Sequence, residues 1–526
     1  MPNIPLPNNP ARNSPLPHGP SPKRSGPARP LAADGPVGPS AAVYPRRWAA
    51  LTALLLAEAM NLLDSTIMTV AAPVIHADLG GPASGIPWYS AAYTLPFAVL
   101  LITGGRLGDI AGRRRLLRLG VAGFVLASTV CALAVSPAML IGARAVQGAA
   151  AALVIPQTIG LIRAMFQGDA LAGAMGSIGP VMGLAAVCGP VLGGLLTHAD
   201  LLGSSWRAVF LVNLPLGLAV LAATPLLPED RSERRPRLDL TGTVLAVLGT
   251  GLLVQPLLDG GLTRFAPRPW AVLATGLAVL AVFGLQQRRR AREGRSALVE
   301  AGLFRGRGFP AALAASLLFF AVVNGLMMVV VLQLQLGLHT DARSSGLTLL
   351  PWSVAMAVAS WCAGARLVPR YGSRVMFAGL AALLAGTLGA VAVYATAPAA
   401  SYPWPLPVAL AVCGLGQGLF AVPFFTTALH RVRPHETGSA AGLLNAAQQL
   451  GGTLGTALLG AVFFHAFSGP GLPAVHAAPS AGVPGALSAL HGVRDAFGVA
   501  LALLACTVVA AARMRPSPVV ATAGDR

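Results

Sequence analysis

Lysine is almost absent from this chain: Lys23 is the single one among 37 basic residues in 526. A phosphate-cradling loop of the Walker type needs a lysine after its glycines, and Lys23 stands in a proline-rich tail instead. ATP hydrolysis by that route is excluded. Charge of any sign is scarce, at 10% of residues, and only 18 acids face those 37 bases. Combined with 55% hydrophobic residues and a mean hydropathy of +0.69, this excludes an ordinary soluble domain. The five cysteines (Cys131, Cys188, Cys362, Cys413 and Cys506) fall inside apolar runs without metal-ligand spacing, and none of the nine histidines pairs at such spacing. No metal site and no cofactor is expected.

What the chain has is apolar runs of roughly 20 residues, repeated along its length. They predict an all-α polytopic membrane protein with fourteen spans, near 48–72, 87–106, 116–136, 138–162, 170–197, 207–227, 238–258, 268–287, 310–335, 346–368, 375–396, 404–429, 437–467 and 494–513. The arginines test that count. With the N-terminus inside, 31 of the 37 basic residues fall in inner segments, five in outer ones, and Arg144 within a span. Dropping a span would place whole basic loops on the wrong face. The net charge of +19 is therefore read as membrane orientation rather than nucleic-acid binding. Residues 1–45, rich in Pro, Asn and Ser, are expected as a disordered cytoplasmic tail without a signal peptide, and 514–526 as a second tail. The outer segment 468–493 is Pro/Gly/Ala-rich and is not expected to fold alone. Arginine in place of lysine, with abundant Gly and Ala, suggests a GC-rich bacterium.

An internal echo divides the chain. A shift of 260 residues lays Gly104, Arg106, Leu107, Gly112 and Arg114 on Gly364, Arg366, Leu367, Gly372 and Arg374, with Pro369 in place of Asp109. Gln147-Gly148 recurs as Gln417-Gly418. Such repeats mark transporters built from two related halves. The division is 46–228 and 310–513 as six-helix bundles, with 229–309 holding two inserted spans and a linker.

Charge inside a bilayer costs about 2.5–3.5 kcal/mol per group and defaults to a functional assignment. Glu58 and Asp64 in the first span and Arg144 in the fourth qualify. At helical rise, Glu58 lies about 15 Å and Asp64 about 24 Å from Trp48, while Arg144 lies roughly 10 Å from Pro137 at the opposite surface. Asp64 and Arg144 thus share a level. A carboxyl that alternates between a dry setting and an arginine-paired one can hold and release a proton, so Asp64 or Glu58 is the candidate carrier. The alternative is a static helix lock. Glu58, Asn61, Ser65 and Thr69 form a polar stripe on one helix face, which suits a wet cavity. Tyr93, Gln147, Asn445 and Gln448 are further candidates for its wall, beside Gln449 and Asn324. Tyr89, Phe97, Trp352 and Trp361 could line an aromatic pocket or serve as belt anchors.

Between the second and third spans stands Gly104-Gly-Arg-Leu-Gly-Asp-Ile-Ala-Gly-Arg-Arg-Arg-Leu-Leu-Arg118. It resembles the loop signature of major facilitator transporters, carried here by Gly105, Leu107, Asp109, Gly112, Arg113 and Arg114. Arg144-Ala-Val-Gln-Gly148 is similar to the fourth-span signature of that superfamily. Gly189-Pro-Val-Leu-Gly-Gly194 resembles the motif associated with antiporters, in which Pro190, Gly189, Gly193 and Gly194 let a helix bend and seal. Leu63-Asp-Ser-Thr-Ile67 and Trp206-Arg-Ala-Val-Phe-Leu-Val-Asn-Leu-Pro215 complete a likeness to the fourteen-span drug:proton antiporter branch over roughly residues 46–513. That resemblance implies two helical bundles alternating access across a bacterial inner membrane. It further implies a monomer that exports a small lipophilic drug, antibiotic or metabolite, driven by protons and not by ATP. A facilitator or importer of a polar metabolite is the rival within transport. A multi-pass membrane enzyme is the rival outside it, with His76, Asp78, His198 and Asp200 its weak candidates. Asp109 is expected to bind Arg113 or the region of Arg374.

Overall fold

The computed structural model describes residues 45–514 apart from 83–84, 200–202, 232–237, 260–266, 294, 296–297, 300, 305, 397, 399–400, 431, 433–436 and 469–482. The expected N-terminal tail and nearly all of the C-terminal one lie outside the described residues. Among the described residues the fold is helical, without strands. In chain order the long helices are α1 (Arg47–Leu79), α2 (Ile86–Ala111), α3 (Arg113–Ala132), α4 (Pro137–Met165), α5 (Ile178–Ala199), α6 (Ser205–Leu226), α7 (Leu240–Leu258) and α8 (Pro267–Arg292). They continue with α9 (Gly308–Gly337), α10 (Ala342–Tyr371), α11 (Arg374–Thr396), α12 (Leu406–Leu429), α13 (Thr437–Ser468) and α14 (Val483–Arg513). Thirteen are apolar and long enough to cross a bilayer. The other, α13, has 32 residues and spans about 48 Å.

The departures from expectation are local. α14 begins at Val483, eleven residues before the expected start, so part of the segment taken as an outer loop is helical. The fifth span is broken at Ser177 into Gly168–Gly176 and α5. α6 tightens into 3-10 turns at both ends. Helix starts follow local chemistry. Ser136 caps α4 from the Met139 N–H ahead of Pro137, and Asp341 caps α10 from Ser344.

Packing repeats itself. α2 and α3 both pack on α4, and α5 and α6 on α1. In the same pattern α10 and α11 pack on α12, and α13 and α14 on α9. The two sets meet through α5 against α10 and α2 against α13, which is one contact and its symmetry mate. α7 packs on both α2 and α13, and α8 lies against α7. The other flank of α8 bares Trp270, Leu277, Val282 and Leu285, as a lipid-facing helix must.

Asp239, at the start of α7, fastens this inserted hairpin. Its carboxylate accepts from the Gly242 N–H (2.9 Å), Gln286 (2.9 Å) and Gln287 (2.7 Å) of α8, and pairs with Arg290 at 3.1 Å. Gln287 in turn accepts from the Val299 N–H, tying in the linker. The side chain is inaccessible, yet only a thin cover separates it from the surface. Burial alone would push its proton affinity up, but the four donors outweigh it and hold Asp239 below the usual carboxylate range. A depressed folded value means the contribution is complete above the unfolded value and is lost as pH falls through the folded one. Asp239→Ala should therefore lower unfolding stability by about 2–3 kcal/mol at neutral pH. The deficit should vanish in strong acid. Thermal unfolding of detergent-purified protein over a pH series measures both.

Candidate functional site

The buried polar centre of the first half gathers five helices around Asp64 and Arg144. Both side chains are 1% exposed, and Arg144 Nη1 meets Asp64 Oδ2 at 2.5 Å. Arg144 also donates to Gln147 Oε1 (2.7 Å) and to the Tyr89 carbonyl (3.0 Å). The other carboxylate oxygen, Asp64 Oδ1, accepts from Gln147 Nε2 (2.9 Å) and Asn213 Nδ2 (2.7 Å). Ser128 Oγ accepts from the same two amides at 2.8 and 3.3 Å. Tyr93 lays its ring 4.4 Å from the guanidinium carbon and passes its hydroxyl to Asn61. α1, α2, α3, α4 and α6 each supply a member.

These contacts assign the candidates differently from the sequence. Asp64, Arg144 and Gln147 come together. Asn61, Tyr93 and Gln147, expected on a cavity wall, are 5%, 1% and 0% exposed and lie inside the helix packing. Ser65, Asn445 and Gln448 are half-buried, although the Ser65 hydroxyl turns back to the Leu62 carbonyl of its own helix. Glu58 is buried beside Thr158 of α4, without a well-formed hydrogen bond between them. Trp352 is buried and donates to Gln417, whereas Trp361 is exposed. Ser128 and Asn213 were not singled out. Asn213 sits inside the Trp206–Pro215 motif and could have been found there; nothing in the sequence marks Ser128.

At the basic end, Asp109 binds Arg113 at 2.8 Å, one of the two expected partners, and not Arg374. Arg113 also meets Asp230 (3.3 Å), and Arg114 meets Glu229 (3.4 Å) and the Leu227 carbonyl (3.2 Å). The signature loop is thus tied to the segment that follows α6, an acidic pair the sequence offered and the motif obscured. Gly112 turns the chain at φ +98°, where other residues are strained. Gly105 touches Pro156 at ordinary distance. The tight positions are Gly104, against the Ala152 carbonyl, and Gly108, against Gln157, which donates to Gly104 at 2.9 Å.

The opposite, charge-poor end holds the described polar links between halves. Gln335 of α9 donates to the Val70 carbonyl of α1 (2.9 Å), His198 faces Asp341 (3.5 Å), and Thr94 meets Thr453 (2.5 Å). Glycines make the seam. A Cβ on Gly193 would strike the Ile67 carbonyl at 2.9 Å, and one on Gly194 would strike the Ala342 carbonyl at 2.6 Å. Gly189 abuts Thr66, and the Pro190 carbonyl abuts Gly346. α5 therefore presses one edge on α1 and the other on α10. At this end Asp78 accepts from Trp206 (2.8 Å) and pairs with Arg207 (3.2 Å). The residues considered for an enzyme are thus occupied as helix ties, except Asp200, which lies outside the described residues, and His76.

Among the described residues no group of His, Cys, Asp and Glu could hold a metal ion. Among the described residues one surface cavity of about 480 Å³ lies at the basic end, and another of about 350 Å³ lies at the other end, lined in part by His76, Trp88, Tyr89 and Asp259.

Residues 54–456 match the sequence profile of the Major Facilitator Superfamily. The chain is 43% identical to a probable actinorhodin transporter of Streptomyces coelicolor over 83% of its own length and 77% of that protein's. It is 35% identical to the puromycin resistance protein pur8 of Streptomyces alboniger, covering 89% and 91%. Its fold is similar to a solved structure of a proton dependent oligopeptide transporter (TM-score 0.62, 16% identity, 89% and 98% covered). It is also similar to a bacterial homologue of the lysosomal transporter Spinster in an inward-facing conformation (TM-score 0.61, 17% identity, 90% and 99% covered). Twelve helices in two repeated sets with two more inserted between them, the loop at 104–118 and a profile match over most of the length give one conclusion: the chain belongs to the Major Facilitator Superfamily.

Proposed function

We propose that this protein is an exporter of antibiotics or related lipophilic compounds, driven by protons entering in the opposite direction through alternating access. Its relatives' names, an actinorhodin transporter and a puromycin resistance protein, support the substrate class. The observation that carries the coupling is the buried Asp64–Arg144 bridge, two helical turns from the seam. The basic end is the cytoplasmic face by its arginine excess, which puts both termini inside a bacterial plasma membrane. The structure then has its outer side closed. The working unit is a monomer, and neither ATP nor a bound cofactor takes part.

In this conformer Asp64 is held by donors alone: one guanidinium and two amides. The proposed cycle places proton release on the inner side, before this conformer forms. Protonated, Asp64 would aim a hydrogen at donors and loosen the bridge. The Asn213 Oδ1, buried and without a partner here, is the acceptor a turn of that amide would offer. α1 carries the change, because Thr66, Ile67 and Val70 follow Asp64 within about 9 Å; the first two pack on α5, and Val70 meets α9 across the seam. The outer-open state then takes up a proton from outside, and return to the closed state expels it inward. Glu58, away from the arginine, is the second candidate carrier.

Asp64→Asn should abolish uphill export from proteoliposomes with an imposed pH gradient, while downhill exchange of the same substrate persists. Uphill export at the normal rate would make the bridge structural and move the carrier to Glu58. At the loop, Asp109→Asn should slow transport about two- to fivefold with normal membrane insertion, the loss of one half-exposed pair. Asp230→Asn added to it should slow transport further, since Arg113 then loses both partners. Unchanged rates in the double variant would reduce the loop to a topology signal.

A further inference from the structure

The cavity of about 480 Å³ at the basic end is lined by Arg114, Arg115 and Arg118 of α3, Thr224 and Pro225 of α6, and Glu229. Orientation in the membrane asks only for positive charge in the loop. It does not ask three arginines to line one hollow against a single acid. Arg114 is committed to Glu229 and the Leu227 carbonyl. Arg115 and Arg118 are exposed and make no described hydrogen bond or ion pair. Three residues apart, they project from one side of α3.

That side continues as apolar surface. Leu119, Leu126, Val130 and Leu133 are 55%, 68%, 42% and 65% exposed and follow Arg115 at helical spacing along the membrane-spanning length of α3. Leu218 of α6 is likewise 58% exposed, near Gly217, where α6 closes on Val121 and Val125 of α3. The site thus has an anion-binding head on the cytoplasmic side and an acyl-length apolar track leading from it. A free phosphate would use the head and leave the track idle.

We propose that the cavity between the inner ends of α3 and α6 binds the phosphate of an anionic phospholipid, whose acyl chain lies along α3. Arg115 and Arg118 take the phosphate oxygens, and Arg114 adds charge from its place against Glu229. The proposal uses the membrane orientation given above and is independent of proton coupling. Because Arg114 also anchors the signature loop, a bound headgroup would bear on the same contact that holds the loop to the segment after α6.

The test uses the full chain purified in detergent and titrated with phosphatidylglycerol or phosphatidylcholine of identical acyl chains, with bound lipid counted by native mass spectrometry. Wild-type protein should retain phosphatidylglycerol in preference. Arg115→Gln with Arg118→Gln should weaken that retention roughly thirtyfold. Arg115→Lys with Arg118→Lys should keep most of it, which separates charge from a folding defect. Equal retention of the two lipids, or an unchanged glutamine variant, overturns the proposal. Displacement of phosphatidylglycerol by millimolar inorganic phosphate would assign the head to free phosphate and overturn the lipid.

Discussion

A guanidinium cannot be left alone in the middle of a membrane protein, and this structure is arranged around satisfying one. Arg144 is fully buried, and its charge demands a carboxylate plus acceptors for its remaining N–H groups. Asp64, Gln147 and the Tyr89 carbonyl answer that demand, and Ser128 and Asn213 complete the shell around Asp64. Five helices are bound to one another by the result. Replacing a buried ion pair with apolar residues is often neutral or stabilising, so stability alone does not require this one. In the proposed cycle its use lies in being switchable by a single proton at Asp64.

Among the described residues the second half contains no counterpart. Aligning Gln147-Gly148 with Gln417-Gly418 puts Gly414 where Arg144 stands, and Gln417 serves the Trp352 indole instead of an acid. Nearby, Phe319 and Phe420 stack with centroids 3.8 Å apart, and Phe424 stacks on Phe420 at 5.1 Å. One half therefore holds a buried ion pair where the other holds an indole–amide contact and stacked aromatic rings. Among the described residues the seam between the halves is close-packed backbone at Gly194 and Gly346, with few polar links. Such a seam can part without stranding buried charge, which suits an interface that must open and close.

The spans were legible because hydropathy and the arginine distribution constrain each other; shifting the count by one would have put basic loops on both faces. The Asp64–Arg144 level was legible from helical rise alone. What was not legible is which polar residues are packed away in this conformer. A polar side chain in an apolar span reads the same whether it faces water or another side chain, so Asn61, Tyr93 and Gln147 could not be told from Ser65 or Gln448. The partners of the signature loop were hidden for a related reason. Glu229 and Asp230 lie more than a hundred residues away, and an acidic pair in a loop has no spacing that points to its target. Asp239 was passed over because a cap residue and a buried anchor look identical before the second helix is placed.

The central claim is that the charge on Asp64 and the closure of the outer seam are one equilibrium. It is tested most directly by measuring distances across the seam by electron-spin resonance, with labels at Ala77 beyond the seam contacts of α1 and at Arg343 on α10, in lipid nanodiscs from neutral to acid pH. The account predicts that acid lengthens the outer distances in the otherwise wild-type protein, and that Asp64→Asn makes the distribution indifferent to pH. Identical wild-type distributions across the range, or an acid response that survives Asp64→Asn, would contradict it.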